Sequence, residues 1–86
     1  MVVYLIEYTV VGEGEASILS IHRSFSSATD RASVLANDQF IDLDIEDGYE
    51  VEVRLDDENE EATFSLTNSD GVVEEAWHIR GVVVED

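Results

Sequence analysis

Residues 2–11, VVYLIEYTVV, place apolar side chains on both faces of an extended chain: Val2, Tyr4, Ile6, Tyr8 and Val10 on one, Val3, Leu5 and Val11 on the other. A segment rich in β-branched and aromatic residues that is apolar on both sides has to be flanked on both sides, so it reads as a central strand. Gly12-Glu13-Gly14-Glu15 breaks it. Residues 16–25, ASILSIHRSF, then resume a strand, with Leu19, Ile21 and Phe25 on one face and Ser20, His22 and Ser24 on the other. A hairpin is the simplest connection between the two.

The period changes next. Ala28, Ala32, Leu35, Ala36 and Phe40 recur at helical spacing, and Ser27-Ala28-Thr29-Asp30 fits the Ser-x-x-acid capping arrangement, so a helix is expected over 27–39. Its alanine-rich stripe suits close packing on a sheet. Alternation by two follows. Ile41, Leu43 and Ile45 interleave with Asp42, Asp44 and Glu46; Asp47-Gly48 is a turn dipeptide; Tyr49, Val51, Val53 and Leu55 interleave with Glu50, Glu52, Arg54 and Asp56, so the apolar face is expected in the core and the other is almost wholly carboxylate. After the charged loop 57–61, Ala62, Phe64 and Leu66 alternate, 68–71 is a turn, and 72–84 form one long strand or two short ones. The expectation is one α+β domain over residues 1–86. It is an antiparallel sheet of about five strands with one helix packed across a face, in the order ββα followed by three or four strands.

Charge restricts the function classes. Twenty-one Asp and Glu stand against four Arg and no Lys, a net charge of −17. Such a chain repels phosphate backbones and anionic lipid headgroups, so neither nucleic acid nor a membrane is a direct partner. There is no Cys for a disulfide or thiolate metal site, no apolar run of bilayer length and no signal-peptide pattern, which leads to an expectation of a cytoplasmic protein. Catalysis would need convergent groups, and His22 and His78 sit in no recognisable spacing; both read as structural, and the chain as non-enzymatic. The segment from Asp42 resembles a calcium loop only superficially. Its Gly48 falls one place late, and Val53 occupies the twelfth position, where a bidentate carboxylate is required. No metal and no cofactor are expected.

What remains is the use of the carboxylates themselves. Same-face neighbours on a strand lie about 6.6–6.8 Å apart and adjacent strands about 4.8 Å. A hairpin of 41–46 with 50–56 would therefore hold Asp42, Asp44 and Glu46 beside Glu50, Glu52 and Asp56 in two anionic rows, roughly one charge per 3.4 Å, as along a nucleic-acid strand. With Asp57, Glu58, Glu60 and Glu61 of the adjoining loop, these rows form the candidate partner-binding surface, aimed at a basic channel of a nucleic-acid-binding protein.

In size, acidity and runs such as IDLDIEDG and VRLDDENEE, the chain resembles small phage-encoded inhibitors of bacterial defence, including anti-CRISPR and anti-restriction proteins that mimic nucleic acid. The resemblance implies a nucleic-acid-binding effector complex as partner, in the cytoplasm of a host cell. Two other readings stand beside it. One is a salt-adapted domain of a halophile, whose carboxylates hold water and maintain solubility. The other is an acidic adaptor for a basic protein that does not bind nucleic acid. A homodimer through the Val-rich C-terminal strand is also left open.

Overall fold

The computed structural model describes residues 1–42 and 48–85, with the side chain of Asp42 outside that set. Its elements are β1 (Val2–Val10), β2 (Ala16–His22), α1 (Phe25–Asp42), β3 (Glu50–Asp56), β4 (Glu61–Thr67) and β5 (Val73–Val83). The strands form one antiparallel sheet in the order β2-β1-β5-β4-β3. β1 is thus an interior strand, between β2 and β5, with Tyr4, Ile6 and Tyr8 on the side of the core, and residues 73–83 are one long strand.

Helix α1 covers one face. Ala28, Ala32 and Ala36, spaced by four, are fully buried against Tyr4, Ile6, Ala62, Phe64, Leu66, Trp77 and Ile79; Tyr8, Phe25, Leu35, Phe40, Tyr49 and Val51 surround them. The small stripe lets the helix backbone approach the sheet closely, and the large side chains come from the strands. Gly81, the cross-strand neighbour of Tyr4, leaves a gap beneath the tyrosine ring: a Cβ there would lie 3.3 Å from Tyr4 Cε1.

Three expectations need correction. The helix begins earlier than Ser27. Ser24 is its cap: the Ser24 hydroxyl accepts from Ser27 N at 3.1 Å, and the Ser24 carbonyl accepts from Ala28 N at 3.2 Å. No acidic residue lies in the first turn, so Asp30 does not act at the helix dipole. The helix also runs past 39 to Asp42, so Ile41 and Asp42 are not strand residues. The series Ala32, Ala36, Phe40 continues the buried stripe at a spacing of four and overrides the alternation that starts at Ile41, which is 70% exposed.

The third correction concerns β2. Ser20 pairs with Ile6 but Ile18 with Glu7, so Leu19 is the extra residue of a β-bulge. Ile21 pairs with Leu5, and His22 with Tyr4. Ile21 therefore lies on the face away from α1 and His22 on the helix side, the reverse of the expected split, while Leu19 borders the helix near Leu35.

Candidate interaction surface

Val51, Val53 and Leu55 of β3 pair with Leu66, Phe64 and Ala62, whose side chains meet α1. Glu50, Glu52, Arg54 and Asp56 therefore project from the other, uncovered face. β3 lies at the sheet edge, so α1 shelters it incompletely. Val51 is half-buried, whereas Val53 and Leu55, expected in the core, are more than half exposed and line a cleft with Phe25 and Thr29.

The candidate residues are only partly brought together. Asp42 ends α1 and takes no part in a ribbon with β3; Asp44 and Glu46 lie outside the described residues. The strand hydrogen-bonded to β3 is β4, and the row beside Glu50, Glu52, Arg54 and Asp56 consists of Thr67, Ser65, Thr63 and Glu61. Three hydroxyl residues and one carboxylate thus replace the second anionic row, and Arg54 interrupts the first.

The charge gathers instead at the hairpin tip. Residues 50–61 carry seven carboxylates and one arginine. Two of these carboxylates build the turn. Asp56 accepts from Asn59 N at 3.2 Å and Asn59 Nδ2 at 2.8 Å, and these bonds hold its carboxyl below the usual carboxylate range. Glu60, in a left-handed conformation at φ 52°, accepts from the Tyr4 hydroxyl at 3.0 Å, tying the tip to the core. Asp57, Glu58 and Glu61 are exposed. Beside them, Arg54, Asp56, Glu61, Thr63 and His78 line a shallow cleft of about 170 Å³.

A pattern missed in the sequence involves the tyrosines. All three donate to a glutamate: Tyr4 to Glu60, Tyr8 to Glu75, and Tyr49 to both oxygens of Glu74 at 3.1 Å. Gln39 and Asn68 add donors to Glu75 and Glu74. In a chain without lysine, the phenol serves as the neutral donor to these carboxylates, of which Glu74 and Glu75 are half-buried and Glu60 is exposed. Part of the signal was available: Tyr49 sits at a core-facing position of an acid-rich segment, whereas Tyr8 lies in the apolar run 2–11 and its glutamate comes from β5. Glu7 pairs with Arg80 across β1 and β5.

Burial and the Glu75 carboxylate push the Tyr8 hydroxyl up to about 12 from 10.0. The folded state therefore binds this proton more tightly than the unfolded chain. Its contribution to stability is whole below pH 10 and is lost as pH rises through about 12. The urea midpoint is expected to fall across that interval, and Tyr8→Phe to flatten the fall; superimposable profiles would contradict the role given to the Tyr8–Glu75 bond.

The histidines are held by hydroxyls. His22 Nε2 lies 2.8 Å from Ser20 Oγ and its Nδ1 3.0 Å from Ser27 Oγ, while His78 Nδ1 lies 2.8 Å from Thr63 Oγ1. Among the described residues no three His, Asp or Glu side chains converge as metal ligands, and no helix is long and apolar enough to cross a membrane. Comparison with protein-family models, curated proteins and solved structures finds no match to this chain.

Proposed function

We propose that the chain is a non-enzymatic inhibitor whose β3–β4 hairpin enters a basic groove of a nucleic-acid-binding effector in the host cytoplasm and occupies the place of a polyanion. The observation that carries this reading is the placement of seven carboxylates against one arginine on residues 50–61, on a sheet edge where α1 gives little cover. Glu50 and Glu52 share a face, about 6.6–6.8 Å apart on a stiff strand. Asp57, Glu58 and Glu61 extend the charge at the tip. A cationic groove gains encounter rate from such a field, by 10-fold to about 10³-fold, and the gain fades as salt screens it.

The test is capture of binding proteins from a bacterial lysate on the immobilised chain, followed by competition with DNA and RNA. The expected partner binds nucleic acid, is released by it, and associates more slowly with a Glu50→Gln, Glu52→Gln, Glu58→Gln, Glu61→Gln variant. These substitutions spare Asp56 and Glu60, which hold the turn. Binding that ignores salt and these substitutions would exclude the surface. A partner that nucleic acid does not displace would leave the adaptor reading.

A second reading, adaptation to molar salt, is favoured by a different observation. Exposed carboxylates also occupy the β1–β2 turn (Glu13, Glu15), the helix (Asp30, Asp38) and the β4–β5 turn (Asp70). The tyrosine–glutamate bonds, moreover, each have a neutral donor, so salt weakens them less than it weakens an exposed ion pair.

A further inference from the structure

The two edges of the sheet differ in kind. β3 carries Glu50, Glu52, Arg54 and Asp56, the charged side chains that commonly keep an edge from pairing with another chain. β2 carries none. Residues 16–29 form the longest stretch without an acid, 14 residues in a chain where a quarter of all positions are acidic. That stretch takes in the whole of β2 and runs on into the first turn of α1; on β2, Ile18, Leu19 and Ile21 are 59%, 45% and 63% exposed.

We propose that β2 is a dimerisation edge, on which two copies of this chain pair antiparallel about a two-fold axis to make one continuous ten-stranded sheet. The bulge selects both the occupant and the register. It puts Ile18 and Ile21 on the same face, because their partners Glu7 and Leu5 both point away from α1. In a regular strand, residues three apart lie on opposite faces. A bulge misfits a straight incoming strand, which is one way that edges are protected. A two-fold axis between Leu19 and Ser20 removes the misfit by setting bulge against bulge.

In that register residue i meets residue 39 − i of the other copy, so Ile18 lies opposite the partner's Ile21 and Ser17 opposite the partner's His22. Every such pair shares a face, as cross-strand neighbours must. The four isoleucines then continue the apolar corner formed by Val3, Leu5 and Val82 on the uncovered face.

Charge fixes the direction and the stoichiometry. Glu15 precedes β2 and Arg23 follows it, so antiparallel pairing brings unlike ends together and parallel pairing brings like ends together. The acidic β3 edges end up at opposite sides, nine strand spacings or about 43 Å apart, well beyond the Debye length of about 8 Å at physiological salt. Pairing through β3 is repelled, and the assembly closes at two copies.

Sedimentation equilibrium at physiological salt is expected to give twice the chain mass of 9.6 kDa. The Ile18→Glu, Ile21→Glu variant is expected to give the single-chain mass with an unchanged circular dichroism spectrum, because both side chains are exposed. Val53→Glu on the opposite edge leaves the doubled mass. A parent chain at single mass up to millimolar concentration, or a double variant that stays doubled, overturns the proposal.

Cross-linking reads the register without depending on the glutamate variants, since the chain has no cysteine of its own. Ile18→Cys mixed with Ile21→Cys is expected to form a disulfide on oxidation. Ile18→Cys alone is not, because its two copies lie about 8 Å apart, two strand steps along and one strand across, beyond the roughly 7 Å that a disulfide spans. No cross-link in the mixture, or equal cross-linking by Ile18→Cys alone, rejects the register and with it the interface.

Discussion

Truncating Ile79 to alanine is expected to destabilise the fold by about 2–5 kcal/mol, whereas the same truncation at Ile41 changes stability by about 0.5 kcal/mol or less. Ile79 is fully buried on β5, between Ile6 of β1 and Ala62 of β4, and beneath the alanine face of α1. Its surroundings cannot collapse into the space left behind, because both neighbouring strands are fixed by ladders and the helix already lies close. A domain of this length is stable by roughly 4–13 kcal/mol in all, so the loss unfolds a sizeable fraction of the chain if the reserve is at the low end. Ile41, 70% exposed on the last turn of α1, contributes little burial. Trp77, the single tryptophan and a core member, reports unfolding in a urea titration. Equal losses at the two positions would contradict the helical, solvent-facing placement of Ile41.

That contrast shows what periodicity carries and where it runs out. The two-sided pattern of residues 2–11, the alternation of 50–56 and the alanine stripe each have a single structural solution, and the α+β order followed from them. Around Phe40 and Ile41 two periods overlap. A helix spaced by four and a strand spaced by two are both consistent with FIDLDI, and only the packing of Phe40 against the core decides how far the helix extends. In β2 the bulge at Leu19 shifts every later side chain to the opposite face. Nothing in ASILSIH marks that residue as the extra one, so the positions of Ile21 and His22 were not legible.

The candidate surface was legible as composition but not as geometry. Glu50, Glu52 and Asp56 do share a solvent-facing side of β3, as alternation requires. Their neighbours could not be read, because strand pairing is a long-range choice. β3 takes β4, with Thr63 and Ser65, and Asp42 stays on the helix. Individual carboxylates also looked alike in the sequence, yet Glu60, Glu74 and Glu75 are acceptors for tyrosines and Asp56 holds a turn. The carboxylates at hand for a partner are fewer than composition suggests, and they lie nearer the tip.

Raising salt from about 0.01 M to 1 M is expected to raise the melting temperature, and the hairpin alone accounts for about 4–8 °C of the rise. Two carboxylates about 6.7 Å apart repel by about 0.6 kcal/mol in water; a Debye length of about 30 Å leaves most of this, and one of about 3 Å removes most of it. The hairpin brings about five such pairs together, including Glu50 with Glu52 and Asp56 with its cross-strand neighbour Glu61. Half of the repulsion persists between sequence neighbours in the unfolded chain, so roughly 1 kcal/mol separates the two salts, and each kcal/mol moves the midpoint by about 4–8 °C in a domain of this size. Calorimetry of the parent and of the Glu50→Gln, Glu52→Gln, Glu58→Gln, Glu61→Gln variant then separates the two readings of the charge. If the hairpin is a binding surface, it concentrates repulsion that only a cationic groove relieves, and the variant is already stabilised at low salt with a much flatter response. If the acids serve solvation in brine, repulsion is also spread over α1 and the turns, and the variant loses only the hairpin's share and keeps the larger part of the salt dependence. A melting temperature indifferent to salt in both proteins would contradict both readings, because neither lets a charge of −17 fold without electrostatic cost.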